Sequence, residues 1–349
     1  MKDNDGFKAL KEIYFNQATF IDKSEDFYNG SGKGIRINNA GEIVLDENSV
    51  EGVYESPIVN TKEFKDLIGS WNGEAVPQSE IELSVQIKKG GEWSRWFSCG
   101  RWWSTGNSGS IENQKDNIAL MDVDLIKLIG EQSGNGFRYK IDLRREHLSI
   151  PTPKIRLAAV TLNLIDKQIQ DFEVVDEEEV ELDLPKRSQM IVPEIGNVIC
   201  SPTSLSMVLE YYGHFEDTES VAKGVYDYGA KIYGNWSYNV AYAGTKGFTA
   251  YVARFTDLNQ IKTMLKQGRP LVASIRTKTP EELQGAPQSY PSGHLVAIRG
   301  FKVKDGVEYI IVNDPAALDS ESVRREYLSE QFLKVWNGVV YCVFPNKDA

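Results

Sequence analysis

The run Cys200-Ser201-Pro202-Thr203-Ser204 places a thiol at the start of a helix-patterned stretch in which Leu205, Val208, Leu209 and Tyr212 share an apolar face. Pro202 suits the first helical turn and Gly213 is a natural stop. A cysteine at that point faces unpaired backbone N–H groups and the positive end of the helix dipole, and both favour thiolate, the nucleophilic form. The chemistry within reach is attack on a carbonyl carbon. Most free cysteines are simply small buried hydrophobes, so the reading turns on whether a base exists.

The chain has 3 histidines, at positions 147, 214 and 294. His214 follows the Gly213 stop and His147 follows the charged run Arg144-Arg145-Glu146, so both read as surface residues. His294 follows Pro291-Ser292-Gly293 and begins the apolar run Leu295-Val296-Ala297-Ile298, which places it where a loop becomes a buried strand. The strand returns as Val307 to Val312 after a turn within Lys302 to Gly306. If all of Lys302 to Gly306 is loop, His294 faces Asp314 across the hairpin, at about 4.5–5.5 Å between Cβ atoms. If Asp305-Gly306 alone forms a two-residue turn, Ala317 lies opposite His294, and a bulge or sheet twist is then needed to bring Asp314 to the ring. Asn313 is the alternative orienting group, on the other face of its strand.

Cysteine at a helix start, then Gly293-His294, then Asp314-Pro315 resembles the papain-like fold, and within it the C39-like cysteine peptidases, whose pattern runs Cys-Gly-Pro-x-Ser, Gly-His and Asp-Pro. The resemblance extends over roughly Leu184 to Pro345. Ser201 departs from the family's glycine, which a negative backbone φ at that residue would tolerate. The resemblance implies acyl transfer by a Cys200-His294-Asp314 triad through a covalent thioacyl-enzyme, needing no metal and no cofactor. It also implies an oxyanion hole made of the cysteine's own N–H and an upstream glutamine. Gln189 is the candidate, which makes Ile191 to Ile199 a lengthened loop; the residue at the family's shorter spacing is Glu194, an anion that would oppose an oxyanion. A peptide or protein is the implied substrate. A cysteine amidase or transferase acting on cell-wall peptides uses the same pair of groups, and a binding protein for glycan or peptide with a relic site is the non-enzymatic alternative. Bacteriocin-processing members of the family carry membrane and nucleotide-binding domains; here there is no Walker-type loop, so leader-peptide export is not assigned.

These groups need a scaffold, and the chain is long enough for two domains. It has 349 residues, 41% hydrophobic and 26% charged, with a net charge of -11 that disfavours a nucleic-acid surface. No apolar run reaches membrane-span length and Met1 to Gly6 opens no secretory segment, so a soluble chain is expected, its compartment open. With only Cys99, Cys200 and Cys342, no disulfide framework is expected. The acid-rich stretch Asp171 to Asp183 marks a connector that could still pair as an edge strand, with domains at 1–180 and 181–349.

The first domain, with its N-terminal extension, alternates strand patterns and turns. Glu80 to Lys88, Glu92 to Phe97, Phe137 to Leu143 and Ile155 to Leu162 predict an antiparallel β-sandwich of jelly-roll type, similar in architecture to galactose-binding-like accessory domains. The second is expected to be α+β, its Cys200 helix packed on an antiparallel sheet carrying His294 and Asp314. Trp71, Trp93, Trp96, Trp102 and Trp103 lie in the first domain and suit core packing, with a carbohydrate or cell-wall ligand as the alternative. Asn235 to Gly244 is unusually aromatic, and reads either as pocket lining near Cys200 or as packing. The loop Thr277 to Gly293, rich in proline, leads to His294.

Overall fold

The computed structural model describes residues 18–103, 108–167, 175 and 177–346. The N-terminal extension at 1–17 and the part of the acidic connector at 171–174 and 176 lie outside the described residues. The chain is α+β and rich in strands, and divides into two compact units, one of residues 1–168 with 226–246 and the other of 169–225 with 247–349. The second half of the sequence therefore lends one segment to the first unit.

Among the described residues of the first unit, 13 strands share a single hydrogen-bonded network. Its long members are β1 (Val59–Glu74), β2 (Ser79–Lys89), β3 (Phe97–Trp103), β4 (Gly134–Arg145) and β5 (Lys154–Leu164). The predicted strands Glu80 to Lys88, Phe137 to Leu143 and Ile155 to Leu162 lie within β2, β4 and β5, whereas Glu92 to Phe97 is broken: only Glu92–Trp93 pair, and the strand resumes at Phe97 as β3. β4 pairs with β2 along one edge and with the strand Glu51–Glu55 along the other, while β1 pairs with β5. The alternation in β2 sends Ile81, Leu83, Val85 and Ile87 into the core. Its opposite face is also covered, by a cross-strand ionic layer in which Arg144 holds Glu80 at 2.5 Å and Glu82 at 3.2 Å, and Arg138 donates to Gln86 at 2.8 Å.

The aromatic segment packs here too. Helix Trp236–Thr245 lies against β1, and Tyr238 meets Trp71 and Trp102 edge to face at centroid distances of 5.9 and 5.6 Å. Buried Asp227 anchors the segment by accepting from Ser110 N–H at 2.9 Å and from Asn235 Nδ2 at 2.8 Å, and Asp124 accepts from Trp236 N–H. Of the two readings of Asn235 to Gly244, packing is the one realised. Trp71 and Trp102 are buried in this cluster, while the rings of Trp93 and Trp96 are covered by the Arg138 guanidinium at 4.9 and 5.1 Å.

The second unit is built on a 7-stranded antiparallel sheet. Its strands are β6 (Glu179–Glu181), β7 (Phe248–Arg254), β8 (Leu271–Ile275), β9 (His294–Lys304), β10 (Val307–Asn313), β11 (Arg324–Leu328) and β12 (Trp336–Pro345), in the order β7-β12-β8-β9-β10-β11 with β6 on β9. The end of the acidic connector is thus an edge strand, and Glu181 is neutralised by Arg324 at 2.7 Å and Arg299 at 3.1 Å. Helix α1 (Cys200–Tyr211) packs on β9. Its residues from Ser201 to Leu209 are all buried, so it is a central helix and not a half-exposed one. No helix among the described residues is long and apolar enough to cross a membrane.

Candidate active site

Helix α1 is stopped at its C-terminal end by local chemistry. At its C-terminus Gly213, at φ +88, donates to Glu210 O and His214 N–H donates to Leu209 O at 3.0 Å, the paired bonds of a Schellman stop. Along its buried length the hydroxyls find partners: Ser204 Oγ donates to Leu295 O at 3.0 Å, and Ser201 Oγ lies 2.8 Å from Tyr341 Oη. The first of these ties the helix to the residue after His294. Ser201 lies in helical conformation and is absent from the positive-φ residues, so the serine sits there without strain.

His294 is the first residue of β9, paired on the ladder with Ile275 of β8. Gly293 before it has φ +97, a conformation that a side chain would strain. The hairpin register differs from one in which the whole segment Lys302 to Gly306 is loop. Lys304 pairs with Val307 across a two-residue Asp305-Gly306 turn, both turn residues having positive φ as a type I′ turn demands. The register then shifts between Ile298 and Gly300, so that Arg299 forms a bulge, and the ladder ends at Ala297 opposite Asn313. Asp314 lies one residue beyond it, in a turn where its Oδ1 accepts from Ala316 N–H at 3.0 Å. From there it reaches the imidazole: His294 Nε2 and Asp314 Oδ1 are 2.7 Å apart, both residues buried. Asn313 points away, donating to Pro185 O at 2.8 Å and accepting from Arg299 at 3.1 Å.

Nε2 of His294 is engaged by Asp314, and the His294 side chain and the Cys200 thiol each bear on the other's ionisation. Burial opposes ionisation of Cys200, but the His294 hydrogen bond and charge, with the Leu295 and Ser201 backbone N–H groups, outweigh it and lower the thiol below its ordinary value. Burial likewise disfavours a charged imidazole; Asp314 and the thiolate reverse this and raise His294 to about 10. Asp314 itself is held below the usual carboxylate range, against the cost of burial, by His294, Tyr327 and Tyr290. The other cysteines differ: Cys99 and Cys342 are fully buried, and burial pushes Cys99 up to about 12.

Two family models match the chain: residues 181–342 fit the Peptidase_C39 like family and residues 17–163 fit the Peptidase C39 N-terminal domain. The chain belongs to the C39-like peptidase family. Solved structures with similarity include a double glycine motif protease from an AMS/PCAT transporter in complex with the leader peptide, at 22% identity and TM-score 0.34 over 51% of this chain and 100% of that one. The peptidase domain of Streptococcus ComA is another, at 16% identity and TM-score 0.33 over 44% of this chain and 97% of that one. No curated protein matches the chain.

In this C39-like peptidase the remaining sequence candidate, Gln189, is buried on the loop before α1. Its backbone N–H donates to Pro315 O at 2.8 Å, which ties it to the Asp314-Pro315 step, and its Nε2 donates to Gly196 O at 2.6 Å. That bond orients the carboxamide and leaves one amide hydrogen uncommitted. Glu194 is exposed on the same loop, at φ +64. His147 is exposed, and His214 lies beside Glu216 at 3.5 Å. Sequence patterns passed over Tyr290 and Tyr327, whose hydroxyls both donate to Asp314 Oδ2, at 2.7 and 2.6 Å. A tyrosine four residues before a histidine carries no motif that would have pointed to it.

Proposed function

We propose that this C39-like peptidase hydrolyses peptide bonds with Cys200 as nucleophile, His294 as acid and base, and Asp314 as the group that orients and charges the imidazole. The observation that carries this reading is the single imidazole held on Nε2 by a buried carboxylate at 2.7 Å while its thiol partner sits at the first position of a helix. A papain-like arrangement, with a helix bearing the nucleophile packed against the strand that begins with the base, is the reading that helix α1 on β9 supports. The Cys200 thiolate adds to the scissile carbonyl carbon, and the carbonyl electron pair moves onto oxygen. The Cys200 N–H and the free Gln189 amide hydrogen are the proposed donors to that oxyanion. As the tetrahedral centre collapses the C–N bond breaks, and His294 gives its proton to the leaving amine. Neutral His294 then takes a proton from water, whose oxygen attacks the thioester and releases the carboxylate product with return of the thiolate.

Incubation with a diverse peptide library, read by mass spectrometry, tests the reading. The full chain is expected to generate new peptide termini and Cys200→Ala none; equal cleavage by the two would remove Cys200 from the mechanism.

A further inference from the structure

Asp314 holds more hydrogen bonds than a simple orienting carboxylate needs. Oδ1 receives His294 Nε2 at 2.7 Å and Ala316 N–H at 3.0 Å, while Oδ2 receives the hydroxyls of Tyr290 at 2.7 Å and Tyr327 at 2.6 Å. Tyr290 does a second thing: its ring stacks on the His294 imidazole at 3.9 Å between centroids with planes 10° apart. It is itself fastened by its backbone, which accepts from Gly293 N–H at 3.1 Å and donates to Thr277 Oγ1 at 2.7 Å, so the two ends of the loop Thr277 to Gly293 meet on this one residue. Tyr327 comes from a different element, β11.

We propose that Tyr290 and Tyr327 are positioning residues that share out the charge of Asp314, and so fix the His294 ring and set how tightly it keeps its proton. A carboxylate that donates electron density to two hydroxyls has less to offer an imidazolium. Each hydroxyl therefore moderates the His294–Asp314 pair, keeping the imidazolium acidic enough to surrender its proton to a leaving amine. The stack on Tyr290 holds the ring plane in which Nε2 meets Asp314. The charged or titratable groups facing this cluster are Cys200 from α1, His294 from β9, Tyr290 from the loop, and Tyr327 with Arg325 from β11.

This rests on Cys200, His294 and Asp314 being the reacting group, and its test must separate the two claims. The measurement is the titration of histidine-labelled full-length chain by NMR, in which the three histidines are resolved from one another by substitution of His147 and His214. Tyr290→Phe and Tyr327→Phe remove one hydroxyl each and keep the ring. Each is expected to move the His294 midpoint upward by about 0.5–1 pH unit, and Tyr290→Ala, which also loses the stack, is expected to lower kcat beyond Tyr290→Phe. A His294 midpoint that stays put or falls in both phenylalanine variants would overturn the proposal, even in a chain that cleaves peptides. Failure of cleavage by the wild type with the predicted midpoint shifts present would instead count against the catalytic reading alone. Should Tyr327→Phe fail to fold, Tyr290→Phe decides the matter.

Discussion

At the scale of single residues, the proposed mechanism runs from a proton-sharing pair, thiolate on Cys200 and imidazolium on His294. That pair exists only above the pH at which Cys200 ionises and below that at which His294 gives up its proton. Cys200 is lowered from its ordinary value of 9.0, and His294 is raised to about 10. Peptide cleavage, measured as kcat/KM against pH, is therefore expected to rise along an acid limb set by Cys200 and to fall along an alkaline limb near pH 10 set by His294. Asp314→Ala is expected to reduce kcat/KM by roughly 10²–10⁴-fold and to draw the alkaline limb downward, since the lost carboxylate is what raises His294. An alkaline limb unmoved by that substitution would show that the carboxylate does not govern the imidazole. Residue identity at this scale was legible: scarcity of histidine and the Asp-Pro step led to the same three side chains that the fold brings together. The two tyrosines were not, because their role depends on where a loop and a distant strand deliver them.

At the scale of elements, what positions His294 is a turn, a bulge and a glycine. Asp-Gly is strongly disposed to the two-residue type I′ turn, and that preference prevailed over a longer loop. The consequence is a ladder that stops short of both functional groups, so that Asp314 reaches His294 from a turn and not from a cross-strand pair. Sequence alternation cannot show this, since a bulge at Arg299 changes register without changing the pattern of apolar residues. β1 was not among the predicted strands; in the fold its Asn72 is buried and its Nδ2 donates to Trp71 O at 2.8 Å and Val240 O at 3.3 Å. Gly293 offers a test at this level. Its φ of +97 predicts that Gly293→Ala destabilises the protein by about 1–3 kcal/mol and displaces His294. Chemical denaturation should show that loss of stability, and an unchanged midpoint with full activity would mean that the turn has an alternative conformation open to alanine.

At the scale of the whole molecule, composition and charge led to the expectation of two domains joined by an acidic connector, but not to the path of the polypeptide. Tyr226 to Lys246 leaves the unit that holds Cys200 and completes the core of the other, with Tyr238 inserted against Trp71 and Trp102. Its aromatic content announced burial without saying against which partner, because hydrophobicity is non-directional. The proposed chemistry requires that the fold make Cys200, and not the other two cysteines, a thiolate. The direct measurement is alkylation of the native chain by iodoacetamide across a pH series, with each cysteine followed by peptide mapping. Cys200 is expected to label rapidly near neutral pH, with its inflection below 9.0, while buried Cys99 and Cys342 stay unlabelled. Equal, slow labelling of all three, or a Cys200 inflection at the value of an ordinary thiol, would contradict it.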